Sequence, residues 1–320
     1  MPMTYGSIPG IGRPVSRLAL GMGELSREYL DLTCDLLDAF ASHGGNLVDT
    51  APLYRGGDSE RALGEWLRRR GRRDEVLIST KGGYWPSGAP TRLTPTEVAF
   101  DLGQSLERLG TGVVDLLLLH LDDPAVAPGP LVEVLNDQAA RGRVRAFGAS
   151  SWSTTRLEEA GAYAAAHSLS PFAAGSPNLS LAVPREPMWP RTLSVAGDAA
   201  ALAWYRRHRF PLLAWSSQAN GFFSGRFAPG RLALAGDADV LRVYDRDDNW
   251  ERLRRARQLA GDLGCTATQV ALAWVLNQPE LNVFAVVGPR SVAELEASLA
   301  ALEIALTPAQ LAWLNLEAPS

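Results

Sequence analysis

Val113-Val-Asp-Leu-Leu-Leu-Leu-His120 is a near-continuous apolar run that ends on an imidazole. A strand that shows one face to water alternates apolar and polar residues, so an unbroken run belongs to a strand covered on both sides, as in a parallel sheet. Val283-Phe-Ala-Val-Val-Gly288 reads the same way. Outward from these two, further short runs lie at Arg17–Leu20, Asn46–Val48, Val76–Thr80, Arg145–Ala149, Phe172–Ala174 and Pro211–Ala214. Between them the period changes to that of amphipathic helices, at 26–42, 58–70, 95–109, 130–141, 154–167, 198–208, 249–263, 267–277 and 291–302. Thr94-Pro95-Thr96-Glu97, and Ser291 with Glu294 three residues on, have the form of helix N-terminal caps. Eight strand-then-helix units running one way predict an α/β fold, a (β/α)8 TIM barrel, with a doubly wound sheet as the alternative. Thr307 to Leu316 reads as an extra C-terminal helix across the barrel, the residues before Arg17 as a small hairpin, and no linker divides the chain, so a single domain over 1–320 is expected.

Composition narrows the function classes. With 320 residues and 46% hydrophobic content the chain can bury a large core. A formal net charge of −4 does not suit a polyanionic partner, and the densest basic stretch, Arg68 to Arg73, reads as a solvated helix end and turn, so no nucleic acid is expected to bind. Cys34 and Cys265 are far apart, with neither disulfide-framework nor metal-ligand spacing, which fits a reducing cytoplasm; no metal is expected. No apolar run approaches the roughly 18 residues that span a bilayer, and the N-terminus lacks a signal-peptide stretch. The expectation is a soluble, cytoplasmic protein acting on a small molecule.

Among the 31 basic residues one is lysine, Lys81, and it closes the run Val76-Leu-Ile-Ser-Thr80. A guanidinium is planar and permanently charged, whereas an ammonium is a compact point charge that fits a crowded site and accepts a shifted pKa. In a barrel the residues ending the strands point to the active-site end. Asp49 ends the second strand with Tyr54 on the loop after it, Lys81 ends the third and His120 the fourth. Taken singly, each has a structural explanation as a cap, a packing residue or a satisfied barrel histidine; an acid, a phenol, an amine and an imidazole converging from adjacent strands points to chemistry. Two connections, Ser176 to Gly197 and Ser216 to Asp248, are too long for simple turns and follow strands at that same end.

These residues resemble the aldo-keto reductases. Asn46-Leu-Val-Asp-Thr-Ala-Pro-Leu-Tyr54 is similar to the family's second-strand signature, in which an Asp and a Tyr five residues later are catalytic, and Lys81 in STKGG and His120 in LLLLHLDDP match its other two catalytic positions. The resemblance covers the chain from about Arg17 to the C-terminal helix. It implies reduction of an aldehyde or ketone by hydride from a nicotinamide cofactor. Tyr54 would donate the proton, Lys81, held by Asp49, would lower the phenol's pKa, and His120 would orient the carbonyl. Side chains carry no hydride, so a cofactor is required. No G-x-G-x-x-G opens an early unit, in agreement with the family's extended dinucleotide across the barrel top.

On the same resemblance Ser150 and Ser151 fall at the carboxamide-holding pair, the second a departure from Asn, and Ser176 stands where Gln or Glu is usual. Trp215 stands where a Tyr more often stacks on the nicotinamide, followed by Ser216, Ser217, Gln218 and Gly221 at the pyrophosphate turn. Gly288 and Arg290 lie at the 2′-phosphate site, with Glu294 where Gln or Arg is common and Ser298 where Asn is common. Arg290 points to NADP(H); the Glu294 carboxylate, which repels a phosphate, keeps NAD(H) as the alternative. Trp85, Trp152, Trp189 and Phe222 are candidate substrate-pocket walls, suited to aromatic or hydrophobic carbonyls. Two other functions are open to these residues. One is a nicotinamide-binding regulatory subunit, since the family resembles in part the β-subunits of potassium channels. The other is a barrel lyase or isomerase with Lys81 as a Schiff base. Oligomeric state is not specified by the sequence.

Overall fold

The apolar runs pair in parallel and close on themselves. The computed structural model describes residues 3–230 and 237–317. A two-stranded hairpin of β1 (Tyr5–Gly6) and β2 (Val15–Ser16) comes first. The closed barrel follows: β3 (Leu18–Gly21), β4 (Leu47–Asp49), β5 (Leu77–Gly82), β6 (Val114–Leu119), β7 (Val144–Ser150), β8 (Gly175–Ser176), β9 (Leu212–Ala214) and β10 (Val283–Val287), with β10 pairing back onto β3.

One strand differs from expectation. The segment read as Phe172–Ala174 does bond to its neighbour, Ala173 N–H to the Phe147 carbonyl at 2.7 Å and Ala149 N–H to the Ala174 carbonyl at 3.1 Å. The regular ladder is confined to Gly175–Ser176, just beyond. The chains are squeezed there: a Cβ on Gly148 would lie 2.0 Å from the Ala174 carbonyl oxygen, so only glycine fits opposite it.

The covering helices are α1 (Leu30–Ser42), α2 (Asp58–Arg70), α3 (Pro95–Leu109), α4 (Pro128–Ala140), α5 (Thr154–Ala166), α6 (Ala199–His208), α7 (Ala238–Tyr244), α8 (Asp247–Leu263), α9 (Ala267–Leu276), α10 (Val292–Ala300) and α11 (Pro308–Leu314). The expected caps form, with Thr94 accepting from Glu97 N–H and Ser291 from Glu294 N–H. Helix α7 lies where the sequence predicts a loop, within the Ser216–Asp248 connection, of which 231–236 lie outside the described residues. Among the described residues no single helix is long and apolar enough to cross a membrane.

Side chains alternate inward and outward along a strand, and this alternation positions the site. Ala19, Leu47, Leu77, Leu116, Leu118, Ala146, Leu213 and Phe284 form one buried cluster inside the barrel, plugged from below by Ile8, Ile11 and Val15 of the hairpin region. Further along the strands, Asp49, Ser79 and His120 stand two residues beyond Leu47, Leu77 and Leu118, Lys81 two beyond Ser79, and Ser150 four beyond Ala146. Outward-facing Thr80 instead donates to Glu60 of α2 at 2.6 Å, a fully buried carboxylate that also takes Arg108 Nε at 2.5 Å. Asp115, the one acid in the opening run, binds the strands together by accepting from Arg73 at 2.9 Å, Arg145 at 3.0 Å and the Ile78 N–H at 2.9 Å.

Candidate active site

The four residues singled out by strand position meet at the open end of the barrel. Lys81 Nζ donates to Asp49 Oδ2 at 2.7 Å, to the Thr50 carbonyl at 2.9 Å and to Tyr54 Oη at 3.2 Å. Ser79 Oγ holds the other carboxylate oxygen, Asp49 Oδ1, at 2.9 Å. Lys81 and Asp49 are buried, while Tyr54 and His120 are half-buried and face each other edge to face, ring centroids 6.3 Å apart. A buried ammonium is tolerable only when its protons are taken up, and three oxygens around Nζ do so. Compact Lys fits this cage; a forked guanidinium does not.

The electrostatics follow from the packing. Burial opposes charge on Lys81, but the Asp49 carboxylate and then Tyr54 outweigh it and hold the ammonium pKa above its ordinary value. That keeps Lys81 a cation and removes the free amine a Schiff base requires. Tyr54 behaves otherwise than a simple lysine-depressed phenol: burial drives its pKa up, Lys81 pulls it down, Asp49 pushes it up, and the net direction is upward. The expected downward pull is present but smaller than desolvation. His120 is held well below its usual pKa by burial and by the Lys81 charge, so the imidazole is neutral. Its main-chain N–H bonds to the Gly82 carbonyl at 2.8 Å, and its Nδ1 is buried with no protein partner.

Along one rim the serines lie in a row. Ser150 Oγ donates to the Ser176 carbonyl at 3.0 Å and Ser176 Oγ to the Leu213 carbonyl at 2.9 Å, so both hydroxyl protons are used and their oxygens are left to accept. Ser151 has φ 60, which turns the chain at the strand end. Half-buried Trp215 leads a turn with φ 48 at Ser216, 50 at Ala219 and Asn220, and 82 at Gly221, and Ser217 Oγ fastens it to the Val286 carbonyl at 2.8 Å. Such a run of left-handed residues is uncommon outside functional turns. Gln218 Nε2 reaches Ser298 Oγ at 3.3 Å, linking this turn to α10.

Residues 17–315 match the family described as aldo/keto reductase. The chain belongs to the aldo/keto reductase family. It is thus an oxidoreductase of the class that interconverts carbonyls and alcohols with a nicotinamide cofactor. An aryl-alcohol dehydrogenase, NADP(+), of Phanerodontia chrysosporium is 28% identical over 335 residues, covering 97% of this chain and 84% of that one. A probable voltage-gated potassium channel subunit beta of Arabidopsis thaliana is 27% identical, covering 96% and 94% respectively. The solved glycerol dehydrogenase of Gluconobacter oxydans superposes with a TM-score of 0.80 at 22% identity, over 97% of this chain and 94% of that one, and so shares the fold.

At the far end of this reductase's rim, Gly288 is exposed, with nothing within 4 Å of where a Cβ would be. Glu294 is turned onto Arg290: its Oε2 accepts the Arg290 N–H at 2.8 Å and lies 4.0 Å from the guanidinium Nε. Both side chains are exposed, so the pair is weak.

The four proposed pocket walls separate. Trp189 is exposed at the mouth, 5.5 Å from Trp215 by ring centroid. Trp85 is buried beneath Arg191, whose guanidinium carbon sits 4.1 Å over its ring. Trp152 and Phe222 are buried as well: Trp152 packs on Phe172 and donates to the Leu121 carbonyl, and Phe222 sits among Phe223, Phe227, Tyr244 and Trp250. Both follow barrel strands, Trp152 after β7 and Phe222 after β9. Sequence reading missed Ser79, whose hydroxyl orients Asp49. It missed Tyr84, 5.3 Å from His120, and Asn178, which donates to the Trp215 carbonyl at 2.9 Å. For Ser79 the signal was there, two residues before Lys81 on the same face. For Asn178 none was, because its partner lies 37 positions away.

Proposed function

We propose that this protein reduces aromatic aldehydes or ketones to alcohols with NADPH, Tyr54 delivering the proton. The observation that carries this reading is the buried Lys81 bonded at once to Asp49 and Tyr54. The cofactor, when bound, supplies the hydride. Tyr54 Oη stays protonated at neutral pH because burial disfavours the phenolate, so the donor is loaded. As the alkoxide forms, Lys81, 3.2 Å away, stabilises the phenolate left by proton transfer. Asp49, fixed by Ser79, keeps Lys81 in place, and neutral His120 donates a hydrogen bond to the carbonyl oxygen, aligning it with Tyr54.

The rim fits a dinucleotide. Ser150, Ser151 and Ser176 offer acceptors to the carboxamide, Trp215 a flat face to the nicotinamide ring, and the Ser216, Ser217, Gln218 and Gly221 turn a cradle for the pyrophosphate. Gly288 leaves the backbone open to the adenosine phosphate, Arg290 supplies its charge, and Glu294 and Ser298 border it. NADP is also named for the aryl-alcohol dehydrogenase relative. Two unpaired cysteines, Cys34 and Cys265, support a cytoplasmic location.

The likeness to a channel β-subunit supports a second reading, a nicotinamide-binding regulatory subunit. Absorbance at 340 nm with NADPH and a panel of aldehydes separates the two. Cofactor-dependent turnover supports the reductase; tight NADPH binding with turnover across the panel well below one per minute supports the regulatory subunit.

A further inference from the structure

Trp189, Pro190, Arg191 and Thr192 form a β-turn closed by the Thr192 N–H on the Trp189 carbonyl at 3.1 Å and fastened by Thr192 Oγ1 on the same carbonyl at 2.7 Å. Proline at the second position and φ 65 at the third make it a type II turn, whose third residue is ordinarily glycine. Arginine stands there instead. A Cβ is strained in that conformation.

Arg191 reaches Trp85. Its guanidinium lies over the indole face with its carbon 4.1 Å from the ring centroid, and Nη2 donates to the Trp85 carbonyl. This joins the loop after β8 to the loop after β5. The first brings Trp189 onto Trp215 at the cofactor rim, and the second carries Tyr84, whose ring packs on His120. Arg191 therefore sits between the two walls that flank the carbonyl site. Its Nε is buried and has no partner, and among the described residues no carboxylate lies within ion-pair distance of it. Lys81, the buried cation of the catalytic cluster, is by contrast paired with Asp49 at 2.7 Å.

We propose that Arg191 is an anion subsite at the substrate mouth, so that the preferred substrate is an aromatic carbonyl compound bearing a carboxylate. The aryl ring lies at the mouth beside exposed Trp189, and the guanidinium, which no carboxylate among the described residues neutralises, takes the acid group by a charge-assisted hydrogen bond. The assignment rests on the carbonyl-reductase reading for the orientation of the substrate, but not for the subsite itself.

The test pairs 4-carboxybenzaldehyde with benzaldehyde across the parent, Arg191→Met, Arg191→Gly and Arg191→Lys, with melting temperature measured alongside. Arg191→Gly relieves the turn while removing the stacking and the hydrogen bond to Trp85, so its melting temperature should stay near the parent's, and loss of function in it is then not loss of fold. The expected result is a KM for the carboxylated aldehyde raised about tenfold or more in the Met and Gly variants. The KM for benzaldehyde, which feels only the loss of the tie between the loops, should rise several-fold less than that for the carboxylated aldehyde, with partial recovery of the difference in Arg191→Lys. Equal rises for both aldehydes, or no rise for either, overturn the proposal. Binding of 4-(hydroxymethyl)benzoate to the NADP-loaded protein, followed by tryptophan fluorescence, reads the subsite without turnover. If the parent reduces neither aldehyde yet binds this alcohol through Arg191, the reductase reading fails and the subsite stands; if Arg191→Met binds it as the parent does, the subsite fails.

Discussion

The two ends of one barrel are built from the same strands and do opposite work. At the bottom, Ala19, Leu47, Leu77, Leu116 and Phe284 meet beneath a plug of Ile8, Ile11 and Val15, with no charge among them. One step up, the same inward positions hold Asp49, Ser79, Lys81 and His120, with a hydrogen-bonded ion pair in place of an apolar core. Neighbouring residues of a single strand thus divide into those that hold the barrel closed and those that hold charge where water has been removed. The lower layer makes the upper one affordable: burying an ammonium and a carboxylate gains little net stability, and the apolar layer supplies what the site does not.

That division can be broken from either end, and the expected effects separate cleanly. Tyr54→Phe should cut kcat for aldehyde reduction by about 10²- to 10⁴-fold while leaving the melting temperature near the parent's; a fall of less than about tenfold in kcat would remove Tyr54 from the proton-donor role. At the other end, Leu77→Ala empties a fully buried inward position and should cost about 2–5 kcal/mol in denaturant unfolding, with kcat of the folded protein unchanged. A kcat that fell along with stability would mean the layers are coupled.

His120 sharpens the comparison through pH. Its folded pKa is depressed, so the unfolded chain binds the proton first. Its contribution is fully present above the ordinary value of 6.5 and is lost as pH falls from there toward the folded pKa. Removing the imidazole as His120→Gln should flatten the stability slope below pH 6.5; an unchanged slope would place the titrating groups elsewhere. The smallest effect is expected where the site is most exposed. Glu294→Gln frees Arg290 and should move the ratio of kcat/KM for NADPH over NADH upward by only a few fold, about 0.3–1 kcal/mol. A shift toward NADH would show that Glu294 does not border the 2′-phosphate.

Much of this was legible in the chain, for a physical reason. A strand buried on both faces must be apolar throughout, so a polar residue at its end, such as Lys81 or His120, stands out without any structure. The barrel and the convergence of Asp49, Tyr54, Lys81 and His120 were readable in that way. What failed was whatever depends on loop path. Trp152 and Phe222 follow strands as Trp189 does, yet they are buried against Phe172 and in the Tyr244 cluster while Trp189 stands exposed, a difference set by the path of each loop. The net rise in the Tyr54 pKa was also hidden, since charge pairing is visible in composition and degree of burial is not. Arg191 was invisible for the same reason, its meaning resting on a φ angle and on a ring more than a hundred positions away.

Lys81→Arg tests the central claim most directly. Cofactor binding, followed by quenching of tryptophan fluorescence on adding NADPH, should match the parent, while aldehyde-dependent loss of absorbance at 340 nm should fall to a small fraction, because a guanidinium cannot enter the cage of Asp49, Thr50 and Tyr54. Near-normal turnover in that variant would contradict the role assigned to the chain's one lysine.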